Sequence, residues 1–223
     1  MLRTLKNGFL FGCLLSLLLP VDLFAQDEHK YELELDVGYR WEALFRGSRD
    51  LYRTQLDLGE GPKLFAGELY FAPAEGSTEL LDRLQLQFNN WGGEPYNTFR
   101  IQLAKNGVYE LDFNYQNIAY FSSIPSFANP KFESGNLLSQ HREDTSLRTA
   151  SLDLRFRPGK MISPFVGYQR TTRQGPVFTT LGADGDEFQL NKDLEFSHDD
   201  LRGGVIFQAQ DFTLLLQQGA RWY

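Results

Sequence analysis

The sequence predicts an all-β fold, an antiparallel up-and-down transmembrane β-barrel of which about nine strands are present as the N-terminal part of a larger barrel. Three observations lead there. Several segments alternate apolar and polar residues with a period of two. The chain opens with an export leader. After that leader no stretch holds the 18 or so consecutive apolar residues that a spanning helix needs, and helical periodicity is scarce.

The leader comes first. Arg3 and Lys6 form a short basic region, an apolar run follows from Phe9 to Pro20, and Ala25 supplies a small residue before a cut. The run is too short to span a bilayer and is followed by no stop-transfer pattern, so residues 1–25 are expected to be a cleaved signal peptide, with the barrel segment covering 26–223. Cys13, the single cysteine, lies inside the leader with most of the apolar run after it, which argues against a lipid-modified cysteine. The mature chain then has no thiol. Disulfides, thiolate metal sites, cysteine nucleophiles and covalently attached haem are excluded.

Charge narrows the partners. The formal net charge is −7, and loss of Arg3 and Lys6 leaves the mature chain acidic, with no basic tract. Nucleic acid is not an expected partner. The expected partner is the lipid bilayer of the outer membrane of a Gram-negative cell.

The first strand is the clearest. Tyr31, Leu33, Leu35, Val37, Tyr39 and Trp41 fall on one face, and Glu32, Glu34, Asp36, Gly38 and Arg40 on the other. At roughly 3.3 Å per residue this segment is about 33 Å long, or about 25 Å thick across a bilayer at a tilt of about 40°. Aromatic residues at both ends of its apolar face sit where interfacial girdles belong. Tyr109–Tyr115 and Ala150–Phe156 repeat the pattern cleanly. Shorter versions are Leu84–Phe88, Phe99–Leu103, Ile162–Tyr168, Leu201–Phe207 and Phe212–Leu216, and Leu64–Phe71 is a ninth candidate with mixed patterning.

Turn chemistry orders these strands. Lys105-Asn106-Gly107, Arg157-Pro158-Gly159-Lys160 and Gln210-Asp211 are tight reversals. Two polar stretches, 117–146 and 171–199, are expected to be long loops on the opposite side. Short turns facing the periplasm and long loops facing outward are the habit of outer-membrane barrels. Counting from the turns, the ninth strand ends on the outer side at Tyr223, and Gln217, Gly219 and Arg221 spoil the apolar alternation expected before a closing aromatic. An odd strand count leaves two unpaired edges, so the chain is expected to stop within a barrel.

The stretch Asn106–Phe121 (NGVYELDFNYQNIAYF), with Ile124-Pro125-Ser126 and Ala128-Asn129-Pro130 after it, resembles the MtrB/PioB family of large porin-like barrels. Arg49-Asp50-Leu51-Tyr52-Arg53, Gly92-Gly93-Glu94-Pro95-Tyr96 and Arg202-Gly203-Gly204-Val205 are in keeping with it. The resemblance implies a sheath around a periplasmic or lumenal multihaem cytochrome in an outer-membrane electron conduit. The N-terminal C-x-x-C of some members is missing here.

Catalytic chemistry finds little support. His29, His141 and His198 are the only histidines. His29 is expected to be solvated. His141-Arg142-Glu143-Asp144 and His198-Asp199-Asp200 fall in the expected outer loops and sketch the alternative, an outer-membrane hydrolase in which carboxylates activate a water. Asp184-Gly185-Asp186-Glu187 could cup a calcium ion but lacks the later ligands of a calcium loop and reads as a solvated turn. No catalytic, cofactor or metal residue is assigned. Glu32, Glu34, Asp36, Arg40, Glu110, Asp112, Asp153, Arg155 and Arg202 are expected to face a polar lumen, and the chain to serve as a non-enzymatic porin, or as the scaffold of a transport or electron-transfer partner.

Overall fold

The computed structural model describes residues 29–41, 46, 52, 59–74, 80–92, 95–121, 144–183 and 186–223; the expected leader lies outside them. Strands β1 (Lys30–Arg40), β2 (Gly61–Ala72), β3 (Arg83–Trp91), β4 (Tyr96–Lys105), β5 (Tyr109–Tyr120), β6 (Thr145–Phe156), β7 (Ile162–Ala183), β8 (Asp186–Gln208) and β9 (Thr213–Trp222) each contain or overlap one of the expected alternating segments. They form a single nine-stranded sheet in chain order, antiparallel throughout. The sheet is open: β1 and β9 each have one neighbour. Among the described residues no helix is long and apolar enough to cross a membrane, which says nothing about strands.

Alternation separates two faces, and the register carries that separation from strand to strand. Leu33 pairs with Leu69, Leu69 with Leu86, Leu86 with Ile101, Ile101 with Phe113 and Phe113 with Leu152. Among the described residues no apolar side chain is buried; Leu33 is 63% exposed and Leu216 62%. Backbone ladders and contacts between neighbouring side chains on each face hold the sheet, with no core beneath it. The apolar band crosses the pairing rows obliquely. The row through Leu35, Phe88, Phe99 and Tyr115 is apolar as far as Ala150, then meets Arg170 and Asp199. On β8 and β9 the apolar pairs Val205–Leu216 and Phe207–Leu214 lie nearer the short turns. Such a drift is what strands tilted against a level band produce.

The mixed pattern of β2 has a local cause. Asp36 faces Ala66 and Val37 faces Leu64, so Phe65 is an extra residue. This bulge reverses the face assignment partway along the strand. Leu64 and Leu69 therefore both pair with apolar residues of β1 despite their odd spacing. The Phe65 ring turns to the polar face, where it covers Gly38 and lies 5.9 Å beneath the Arg40 guanidinium.

The expected loop 171–199 is instead strand. β7 and β8 stay paired from Ile162–Phe207 to Ala183–Asp186, joined by 184–185. Pairing of β7 to β6 stops at Gln174, and pairing of β8 to β9 stops at Asp199, so the hairpin projects past the sheet as a ribbon. Pro176, a loop signal in sequence, is tolerated because among the described residues β7 has one neighbour there. The faces also exchange along the hairpin. Exposed Val177, Leu181, Leu194 and Phe196 are in phase with Gly167 and Arg202, on the side that is polar lower down. Of the other expected loop, 117–120 belong to β5 and 145–146 to β6, while 122–143 lie outside the described residues.

On β9 Gln217, Gly219 and Arg221 share the polar face and are in phase with Tyr223, so they do interrupt an apolar alternation ending there. Trp222 is in phase with Leu214 and Leu216, with Gln218 between them on that side.

Adjacent glycines test the packing of β8 on β9. A Cβ at Gly204 would run into the backbone carbonyl of Leu216, whereas at Gly203 the nearest neighbour, the Phe165 carbonyl oxygen, is 3.6 Å away. Gly204→Ala is expected to cost about 1–3 kcal/mol and to expose β9 amides to hydrogen exchange, while Gly203→Ala is expected to leave both nearly unchanged. Equal behaviour of the pair in a denaturant titration would contradict this register.

Candidate functional site

The polar face is the part of the molecule with chemistry to offer. Register puts Glu32, Asp112, Asp153 and Arg202 in one row across the sheet, and Glu110 with Arg155 in another. Glu34 and Asp36 follow on β1, and Arg40 lies over Phe65 beyond the bulge. All the residues expected to face a lumen thus share one face. That face is concave: Arg100 of β4 and Gln217 of β9 line one hollow of about 400 Å³, although on a flat sheet they would be about 24 Å apart. A second hollow of about 620 Å³ lies beside it, around Asp200, Arg202 and Arg221.

Charges in the hollow are mostly paired across strands. Arg100 donates to Asp112 at 3.2 Å, Arg155 to Glu110 at 3.5 Å, Arg202 to Asp153 at 2.5 Å and Arg221 to Asp200 at 2.5 Å. Gln102 adds a hydrogen bond to Asp112 at 2.7 Å. The Arg202–Asp153 pair spans from β8 to β6 over β7, which carries Gly167 at that row. A Cβ on Gly167 would collide with both partners, so glycine makes room for the pair. These groups are partly exposed, and pairs of that kind contribute at most about 1 kcal/mol each. Their main effect is to keep a wet face nearly neutral.

The β1 edge differs. Glu34 faces Glu68 directly, and Glu32 and Asp36 flank it. Glu68 accepts from Gln85 at 2.6 Å and Gln87 at 3.3 Å, whereas no bond or ion pair of Glu32, Glu34 or Asp36 is found among the described residues. The acidic bias of the face is concentrated there.

No hydrolytic arrangement forms among the described residues. Asp199 and Asp200 point to opposite faces of β8. Asp199 accepts from the Tyr168 hydroxyl at 2.5 Å and lies 3.8 Å from Arg170, while Asp200 is held by Arg221. His198 is strand, not loop, and packs near Phe196 and Tyr223. His29 is not a solvated stub: its Nδ1 accepts from the Ala74 amide at 3.1 Å and its ring lies against Phe71. His141 and Asp184 lie outside the described residues, as do the side chains of Asp186 and Glu187. Among the described residues there is no cluster of metal-binding side chains.

Sequence reasoning missed Glu68, Arg100, Asp200 and Arg221 as members of the face. Alternation with Phe99 and Ile101 was signal enough for Arg100. Nothing in the sequence announced which acid each arginine meets.

The rim at the short turns is laced together. Lys105 donates to Asp82 at 2.7 Å, the Asn106 amide donates to the same carboxylate at 2.8 Å, and the Tyr109 hydroxyl donates to the Leu80 carbonyl at 2.7 Å. The Arg157 amide bonds the Val108 carbonyl, and the Gln208 amide that of Met161, so each turn is tied to the next. No protein-family model matches the sequence, and it matches no curated protein and no solved structure.

Asp82 makes the rim pH-sensitive. Its hydrogen bonds from Lys105 and from the Asn106 amide hold its pKa below the ordinary 3.8. A lowered folded-state pKa gives stability that is present above the unfolded value and lost as pH falls through the folded one. Amide protection at Asn106 is therefore expected to hold at neutral pH and to fall away below about pH 4. Asp82→Asn is expected to show weaker protection at neutral pH and to lose that acid-side dependence.

Proposed function

We propose that this chain forms part of the wall of an outer-membrane β-barrel with a polar lumen, a non-enzymatic pore or sheath. The observation that carries the reading is a two-faced sheet with no core beneath it among the described residues. One face is an apolar band of exposed Leu, Phe, Tyr and Val residues running from β1 to β9, and the other is concave, charged and paired. A soluble sheet with one such face needs a covering layer, and no second layer is found among the described residues. A bilayer supplies that cover. Tilt of the band against the strands, and the aromatics Tyr31, Tyr39, Trp41, Tyr168 and Trp222 near its borders, support the same reading. Beyond the Tyr168–Asp199 bond the hairpin presents Gln174 and Glu195 on the outward side, as a segment leaving hydrocarbon for water would.

The unpaired outer edges of β1 and β9 would leave backbone donors and acceptors in hydrocarbon, at several kcal/mol per group. The wall therefore acts joined to further strands in a closed barrel. Its lumen face carries no reactive constellation among the described residues. Pairing of its charges suits either a water-filled passage or contact with a polar protein surface. Following the likeness to MtrB/PioB barrels, the sheath around an electron-transfer partner is the form we favour.

Two adjacent substitutions and one fractionation test this. Leu35→Arg, in the middle of the band, is expected to cost about 2–4 kcal/mol in protein folded into lipid, and Asp36→Arg less than about 1 kcal/mol. Membranes from expressing cells should retain the protein through salt washing and release it into detergent. Recovery as a soluble periplasmic monomer, or equal penalties at the two positions, would overturn the proposal.

A further inference from the structure

The two free edges of the sheet differ in charge. From β4 to β9 the concave-face acids Asp112, Glu110, Asp153 and Asp200 each meet an arginine of another strand. β9 therefore ends the sheet with its concave-face cation, Arg221, already held. β1, at the other edge, carries Glu32, Glu34 and Asp36 at successive concave positions, with no ion pair to any of them among the described residues. Opposite them on β2 stand Tyr70, Glu68 and Ala66, and Glu68 takes its hydrogen bonds from Gln85 and Gln87. Glu34 and Glu68, directly opposed, repel each other.

The chain's own cations do not answer these acids. Lys30 and Arg40 share the concave side of β1, but Lys30 follows Asp27 and Glu28 in the sequence, and Arg40 lies over Phe65 beyond the bulge. Arg46, Arg49 and Arg53 belong to the β1–β2 connection, which begins after Arg40, about 13 Å along the strand from Asp36. The open side of β1 thus offers a row of free backbone donors and acceptors with an acid about every 7 Å beside it. We propose that this edge pairs with a strand that carries Lys or Arg at alternate positions on its concave side, opposite Glu32, Glu34 and Asp36. The proposal rests on the barrel reading above and names the chemistry of the strand that closes on β1. A second copy of this chain does not fit. Its β1 would set acid against acid, and its β9 would bring an arginine that Asp200 already holds.

The test uses the protein in the envelopes of cells that make it, with the strands that complete it there. Glu34→p-benzoylphenylalanine is irradiated, and the peptide joined to β1 is identified by mass spectrometry. Apart from β2, the expected product is an alternating strand with Lys or Arg on the side facing the label. Capture of a strand without them, of β1 from a second copy, of residues 42–58, or of nothing beyond β2 would overturn the proposal. Charge exchange is the second measurement. Glu32→Lys/Asp36→Lys should lower the yield of protease-resistant protein roughly 25-fold, about fivefold for each pair, and changing the captured strand's cations to Glu should recover most of it. Asp193→Lys/Glu195→Lys makes the same charge change on the convex side of the hairpin and should keep the yield. Equal loss in both double variants, or no recovery on exchange, would overturn the pairing. A basic strand captured in the soluble fraction would keep the edge proposal and remove the membrane reading, whereas a membrane-held product with an uncharged neighbour would remove the edge proposal alone.

Discussion

Everything in this molecule depends on one constraint: a ladder of backbone hydrogen bonds must hold a constant register, because no packed interior can. In an ordinary domain a slipped strand is resisted by the volume it would have to vacate. Among the described residues each side chain meets only neighbours on its own face, and a slip of β1 by one residue would send Leu33, Leu35 and Val37 to the charged side together. Register and facing are therefore a single property, and the sheet keeps both across β3 to β9 without a shift. The one register shift among the described strands, at Phe65, lies next to the edge strand, and the change of facing carries on to the end of β3, where Leu64 pairs with Trp91 and Asn90 adopts a φ of +57°.

The two ends of the sheet are built differently. At one end the turns are short and bonded to one another through Asp82, Val108 and Met161, so the rim from β3 to β9 is laced together. At the other the strands stop at different heights, and β7 with β8 continues alone. Along that hairpin the apolar residues pass from the convex to the concave side. The same backbone pairing runs through both stretches, and only the choice of side chains differs.

Strand positions were legible in the sequence because a half-exposed strand must alternate, and β1, β5 and β6 have no competing signal. β2 was blurred because a bulge resets the phase, and alternation alone cannot locate an extra residue. The β7–β8 ribbon was taken for a loop because Gly175 and Pro176 are turn-forming residues in most contexts; what overrides them is a partner strand, and pairing is not a local property. His29 was misjudged for the same reason, since its partner Ala74 is remote in sequence. The lumen-facing set was legible from parity, but its pairing was not. Parity tells which side a charge is on, and only register tells whether Arg202 meets Asp153 or some other acid.

That last pair has a mechanical side. Arg202 can reach Asp153 only because the strand between them has Gly167 at the crossing row, between Phe165 and Gln169 on the same face. A mispaired β7 displaced by two residues would keep its apolar side outward and satisfy the hydrogen-bond ladder, so neither facing nor backbone pairing would reject it. It would, however, slide a bulky side chain under the guanidinium and split the pair. The glycine thus distinguishes one alignment of three strands from others that alternation alone treats as equal.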